Sequence, residues 1–338
     1  MQSSQFRSRI LPFAILIACI VILPLITRSP YVLTVAVLIG IYSMVTLGLS
    51  LLMGYAGQIS IGQAAFFGIG AYSSGILTVR YNVDPWLAML LGLIITLVIA
   101  VLVGIPTLKL KEHFLALATI GFNVIVYILL LGFYKYTGGA SGLGGIKNLS
   151  LFGLSLKSEL SYYFFVWVLV LLMALFSLNI VQSHIGRIMR GIHDSEVATL
   201  TQGINVAKYK LHIFIISALF ASFAGSLYAH FINFLAPSTF SIFQSVTFLL
   251  MVVVGGLRPI WGAIFGAAVV TSLGELVKHF VPMFFDVSGE VEIIIYGVVL
   301  ILVVLFLPKG LLPEIIALFE KRRKPATNNI QAKEETPA

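Results

Sequence analysis

The chain has 338 residues, of which 59% are hydrophobic and 10% charged, with a formal net charge of +8 and a mean hydropathy of +1.05. Soluble domains carry about 45–50% apolar and about 25% charged residues, so a soluble globular fold is excluded. Disorder falls to the same numbers, and a disulfide scaffold to the single cysteine, Cys19.

What remains is an all-α polytopic membrane protein, whose positive charge marks the cytoplasmic side rather than a nucleic-acid surface. A helical span needs about 20 mostly apolar residues. Ten segments qualify: 10–27, 31–53, 59–79, 86–108, 114–133, 162–181, 213–235, 242–257, 259–279 and 291–307. The eighth and ninth, parted only by Gly255–Pro259, read as a hairpin or as two half-helices. Membrane strands are excluded, because runs such as 168–176 lack a two-residue alternation. The first segment follows Arg7 and Arg9 as a signal peptide would, but no small-x-small site follows it, so it reads as an uncleaved span.

Ten spans put both termini on one side. On that side fall Arg7, Arg9, Lys109, Lys111, Arg187, Arg190, Lys208, Lys210, Arg258, Lys309, Lys321, Arg322, Arg323, Lys324 and Lys333, which is 15 of the 21 basic residues. Arg28, Arg80, Lys135, Lys147, Lys157 and Lys278 fall on the other. This bias places both termini in the cytoplasm. The chain divides into a cytoplasmic N-terminus (1–9), a membrane domain (10–308) with an inner loop at 182–212, and a cytoplasmic tail (309–338) of disordered composition.

In chain order, the first informative stretch is 54–75, which packs six glycines, Gln58, Gln63 and several hydroxyls, Ser60 among them, into 22 residues. The glycines alone are explained by tight helix packing. The two glutamines are not, because lipid satisfies none of their donors or acceptors, and they are expected to face a polar cavity or an inter-helix network. Thr119 and Asn123 sit one turn apart on one face of the fifth span, and His230 and Asn233 pair likewise near the outer end of the seventh. Both pairs suit helix–helix hydrogen bonding as well as solute contact. The outer loop at 137–145 is glycine-rich and suits a tight irregular loop or a docking surface.

The inner loop predicts a short helix at 195–202, with Asp194 as N-cap, Glu196 in the first turn and Gly203 as the stop. Val197 and Leu200 give it an apolar face, fit for the membrane surface or a partner's groove. The small-residue stretches 62–68 and 262–268, one in each half, hint at an inverted repeat.

Catalytic motifs are missing. No Gly-Lys dipeptide exists, so no Walker A loop does, and there is neither a His-Glu-x-x-His nor a cysteine pair. The chain therefore reads as a non-enzyme that needs no metal or cofactor. Glu275 is the sole ionisable residue deep in a predicted span, and it lies near the outer end, which argues against a proton-driven pump.

Three stretches resemble the LivM/LivH-type permeases, the membrane subunits of branched-chain amino acid ABC importers. The first runs through Gly54, Ala56, Gly57, Gln58, Ser60, Gly62, Ala64 to Phe66, Gly68 and Gly70 to Tyr72. The second runs from Gly186-Arg187 through Asp194, Glu196, Ala198 and Gly203 to Val206, and on to Tyr228-Ala229. The third is Val254 to Leu257 with Trp261-Gly262. Gln63, where many members carry His, and Arg258, where a small residue is common, depart from the pattern. The resemblance implies a second permease subunit as partner, two ATPase subunits inside, and a solute-binding protein outside, in the inner membrane of a prokaryote. It makes 186–203 the coupling helix, with Gly186, Arg187, Arg190, Asp194, Glu196, Ala198 and Gly203 as its working residues. Gln58, Ser60, Gln63, Thr119 and Asn123 are the expected translocation path. Urea or another small polar or aromatic solute is the alternative cargo. The competing class is a stand-alone secondary transporter or channel, which has no need of such an inner helix.

Overall fold

The computed structural model describes residues 2–27, 29–108, 112–151 and 154–284, together with 297, 298, 305, 310–312 and 314. Its helices are α1 (Gln2–Ile26), α2 (Pro30–Ser50), α3 (Gln63–Arg80), α4 (Pro85–Thr107), α5 (Glu112–Gly132), α6 (Tyr134–Thr137), α7 (Glu159–Gln182), α8 (His184–Asp194), α9 (Glu196–Thr201), α10 (Val206–Ile232), α11 (Ile242–Gly255) and α12 (Ile260–Phe284). Nine of the ten predicted spans are thus helices: α1–α5, α7 and α10–α12. The tenth, 291–307, lies outside the described residues apart from isolated positions, as does nearly all of the tail. Six helices are long and apolar enough to cross a membrane, while Phe13–Ile26 and Ile242–Gly255 are shorter apolar helices. The chain is an all-α, multi-pass membrane protein.

α3 does not reach that apolarity, and its position explains why. Gln63 to Gly68, Gly70 to Tyr72, Ser74, Gly75 and Thr78 are all buried. A helix walled by protein needs no lipid-compatible surface. Lipid-facing side chains come instead from peripheral helices such as α4, where Leu87, Leu90, Ile94, Val98 and Leu102 stand exposed.

The α3–α10 contact is made backbone to backbone. A Cβ on Gly70 would sit 2.1 Å from Ser222 O, and one on Gly225 1.9 Å from Phe67 O. Ser226 Oγ donates to Gly70 O at 3.0 Å, and Thr96 of α4 donates to Ser222 Oγ at 2.8 Å. Gly225→Ala is therefore expected to force the two helices apart and lower stability by about 1–3 kcal/mol or more. Gly121→Ala, with nothing within 4 Å of the new carbon, is the control and should be neutral or stabilising by up to about 1 kcal/mol. Thermal unfolding of the two variants in one detergent compares them directly.

Two chain breaks meet at one end of the bundle. The first follows α2, and the second separates α11 from α12 at Gly256, whose φ is +103°. Ser50 Oγ donates to Leu257 O at 3.1 Å, and a Cβ on Gly54 would lie 1.9 Å from that same oxygen. α2 and α11 run into these breaks and α3 and α12 run away from them. The two glycine-rich stretches are therefore parallel in orientation. They do not bear the inverted relation that their texture suggested.

The opposite end is strapped by the 138–155 loop. Gly138, Gly139, Gly142 and Gly145 all take positive φ there. β1 (Leu143–Gly144) pairs antiparallel with β4 (Phe234–Leu235), and β2 (Ser150–Leu151) with β3 (Leu154–Ser155). Asn233, left-handed at the end of α10, donates to Ile146 O at 2.7 Å. His230 is fully buried and places its two ring nitrogens 2.6 Å from Lys147 O and 2.7 Å from Ser74 Oγ. The His230/Asn233 pair thus fastens this loop to the bundle.

The inner loop is corrected in one respect. Ser195, not Asp194, is the N-cap of α9, accepting the Ala198 N–H at 3.2 Å. Asp194 instead closes α8, a helix that the charge pattern did not announce. Gly203 does take the stop conformation, with φ +76°.

Candidate functional site

The connection between α2 and α3 organises the polar residues of the membrane domain. α2 runs into a π-helical turn, Leu51–Tyr55, a distortion that recurs at functional sites. Gly57 then takes φ +67°, a left-handed conformation that glycine reaches without a Cβ penalty. Gln58 N–H reaches back to Leu52 O at 3.1 Å. Residues 58–62 continue without helix until α3 opens at Gln63. The predicted third span, 59–79, therefore starts late, at a helix end buried inside the protein.

Three other helices converge on that end. From α5, Thr119 Oγ1 accepts the Ile61 N–H at 3.1 Å. From α11, Ser245 Oγ accepts the Ala64 N–H at 2.9 Å and Asn123 Nδ2 at 3.2 Å. From α10, Ser217 Oγ accepts Gln63 Nε2 at 3.0 Å. Gln58, Ser60, Gln63, Thr119 and Asn123 are each 2% exposed or less. The structure thus brings Gln63, Thr119 and Asn123 into one hydrogen-bonded cluster on the strand of chain that also carries Gln58 and Ser60. Ser217 and Ser245 complete it, and single serines in apolar runs gave no signal of this.

Satisfaction in this cluster is incomplete. Both amide atoms of Gln58, Ser60 Oγ, Gln63 Oε1 and Asn123 Oδ1 are buried without a hydrogen-bond partner. They make up five of the seven such side-chain atoms among the described residues. Each unmet buried group costs about 1–3 kcal/mol, and such a concentration needs a reason. The free carbonyl and hydroxyl oxygens suit an ammonium or amide donor. The Gln58 amide nitrogen and the positive end of α3 suit a carboxylate. Among the described residues, the hydrogen bonds of the cluster are made by uncharged groups alone.

Directly beneath lies α8–α9. A Cβ on Gly57 would touch His193 Cδ2 at 3.1 Å, and Gln58, His193, Glu196 and Lys210 line one small cleft. Asp194 lies 3.4 Å from Arg258 Nη2, which ties the second chain break to the same helix pair. Lys210 Nζ pairs with Glu196 Oε2 at 2.6 Å. Arg190 Nη1 donates to Val181 O at 3.1 Å, and Gly186 packs so closely that a Cβ would lie 2.1 Å from that oxygen. Arg187 and Ala198 are exposed. Ile188, Ile192 and Val206 form a small inner core, while Ile185, Val197 and Leu200 present apolar surface outward. Among the described residues no group of three His, Cys, Asp or Glu could hold a metal ion.

Residues 31–304 match the family model described as the permease component of the branched-chain amino acid transport system. The chain is 30% identical over 302 residues to the Escherichia coli high-affinity branched-chain amino acid transport system permease protein LivM, covering 82% of this chain and 69% of that protein. The Salmonella typhimurium LivM is 29% identical over 302 residues, with the same coverage. A probable LivH permease of Methanocaldococcus jannaschii is 26% identical over 278 residues, covering 78% of this chain and 84% of that protein. No solved structure matches. The chain belongs to the family of branched-chain amino acid transport permeases.

Proposed function

We propose that this chain is the transmembrane permease subunit of an ATP-driven importer for leucine, isoleucine and valine in the cytoplasmic membrane of a prokaryote. It pairs there with a second permease, two ATPase subunits inside and a solute-binding protein outside. The membrane domain is 10–308, both termini are cytoplasmic, and the 137–145 loop faces the binding protein. The lack of a Walker A loop in the chain makes a separate ATPase necessary.

One observation carries the reading. The helix pair α8–α9 shows apolar side chains outward at Ile185, Val197 and Leu200, while its other side rests on Gly57, at the foot of the broken-helix cluster. Seated in an ATPase groove, the pair moves when the ATPases close. Gly57 and the Arg258–Asp194 contact pass that motion to both chain breaks. The cluster at Gln58, Ser60, Gln63, Thr119 and Asn123 then changes the side to which it opens.

The test is purification of the chain in mild detergent, followed by ATPase assay of what accompanies it. The expected result is a co-purifying ATPase whose turnover rises with binding protein and leucine. Stimulation by urea and not by leucine would keep the architecture and replace the cargo. A chain that purifies alone and carries solute without ATP would overturn the reading.

A further inference from the structure

A second polar feature lies away from the broken-helix cluster. A cavity of about 360 Å³ opens between α2, α10, α11 and α12, within the range of about 300–1,000 Å³ typical of small-ligand sites. Glu275 and Lys278 line it from the outer half of α12. Lys278 Nζ donates to Glu275 Oε1 at 2.7 Å, and the Tyr31 hydroxyl donates to Glu275 Oε2 at 2.7 Å. One turn deeper, Thr271 is 9% exposed and its hydroxyl has no hydrogen-bond partner. Leu38, Met251, Val270 and Val277 supply an apolar wall.

An ion pair one turn apart on a helix is ordinarily a surface feature of small consequence. This pair differs in its setting. The Glu275 side chain is only 22% exposed, while that of Lys278 is 64% exposed and free to swing. The carboxylate has lone pairs to spare beyond its two donors, and the ammonium has two further protons. Thr271, whose buried hydroxyl is unpaired, lines the same cavity from below.

We infer that this cavity is an outer reception site for a neutral amino-acid zwitterion. The α-ammonium takes the place of Lys278 on Glu275, the released Lys278 meets the α-carboxylate, and the aliphatic side chain lies on the apolar wall. The charges select the class. Glu275 and Lys278 sum to zero, so a zwitterion enters with every charge paired. A cationic or anionic solute leaves one charge uncompensated, which is costly in a membrane setting. Urea brings no charge and leaves the existing pair undisturbed. Tyr42 also lines the cavity, and its ring stacks edge-on against Phe248 at 5.5 Å and lies 6.3 Å from Phe67. Phe67 is one turn beyond Gln63 on α3. An aromatic layer therefore stands between the cavity and the broken-helix cluster.

The inference rests on the amino-acid importer reading, and its test separates the two. The complete transporter, carrying Cys19→Ser and Gln244→Cys, is placed in nanodiscs without binding protein. Gln244 lines the cavity and has no part in the proposed charge contacts. The rate at which a small maleimide modifies the introduced thiol is measured with leucine, isovalerate, isoamylamine or urea. Leucine at about ten times its dissociation constant should slow it by about tenfold, while the other three leave it unchanged. Glu275→Gln on this background should abolish the protection. Equal protection by isovalerate or isoamylamine, protection that survives Glu275→Gln, or none at all with leucine would overturn the inference. ATP-dependent leucine uptake by the same preparation, once binding protein is added, decides which claim has failed. Uptake without protection removes the reception site alone, and absence of leucine uptake removes the importer reading and the site with it.

Discussion

Gln58→Met is expected to make the protein more stable and to stop transport. Both amide atoms of Gln58 are buried and unpartnered, and methionine keeps the length of the side chain without them. Removing unmet polar groups relieves about 1–3 kcal/mol. The same atoms are assigned here to the solute, so uptake should fall at least about tenfold, the worth of one charge-assisted bond. Thermal unfolding in detergent and uptake by reconstituted vesicles report the two effects separately. Opposite signs are the signature of a functional residue held at a cost in stability. A destabilised variant that still transports would make Gln58 a packing residue.

Glu196→Lys should abolish uptake while the chain still reaches the membrane. The substitution removes the 2.6 Å pair with Lys210 and sets two ammonium groups together at the foot of the broken-helix cluster. Lys210 has a side chain only 12% exposed, so the repulsion has little solvent to escape into. The double variant Glu196→Lys with Lys210→Glu separates two roles. If Glu196 serves only to hold α9 on α10, the swap restores uptake. If its carboxylate also meets the ATPase, as proposed, uptake stays lost although the local pair is rebuilt. Unchanged uptake in the single variant would remove Glu196 from the coupling path.

Much of this was readable in the residues, for identifiable reasons. Long apolar runs mark α2, α4, α5, α7, α10 and α12 because lipid demands them. Thr119 and Asn123 declare a shared face through spacing alone, and Gly203 its stop through chemistry. The span at 59–79 came out four residues early at its start. Hydropathy cannot see that the Ile61 and Ala64 N–H groups are satisfied by Thr119 and Ser245 rather than by helix bonds. Asp194 and Ser195 are both good N-caps, and only the tertiary partner, Arg258 for Asp194, decides between them. α8 carried its signal in Ile188, Met189 and Ile192, spaced as one helix face, beneath the more conspicuous charges of the same segment. Ser217 and Ser245 were beyond reach: their roles exist only where α10 and α11 meet α3.

The two proposed sites would hold a zwitterion in different ways. The broken-helix cluster offers neutral dipoles, and the proposed reception site offers a charge pair that resets itself as Lys278 returns to Glu275.

The most direct measurement of the central claim is leucine uptake by vesicles holding the purified complex, with ATP loaded inside and every ion gradient collapsed. Uptake is predicted to depend on ATP and on binding protein, and to be left unchanged by ionophores. Leucine uptake that persists without ATP and disappears with the ion gradient would contradict it.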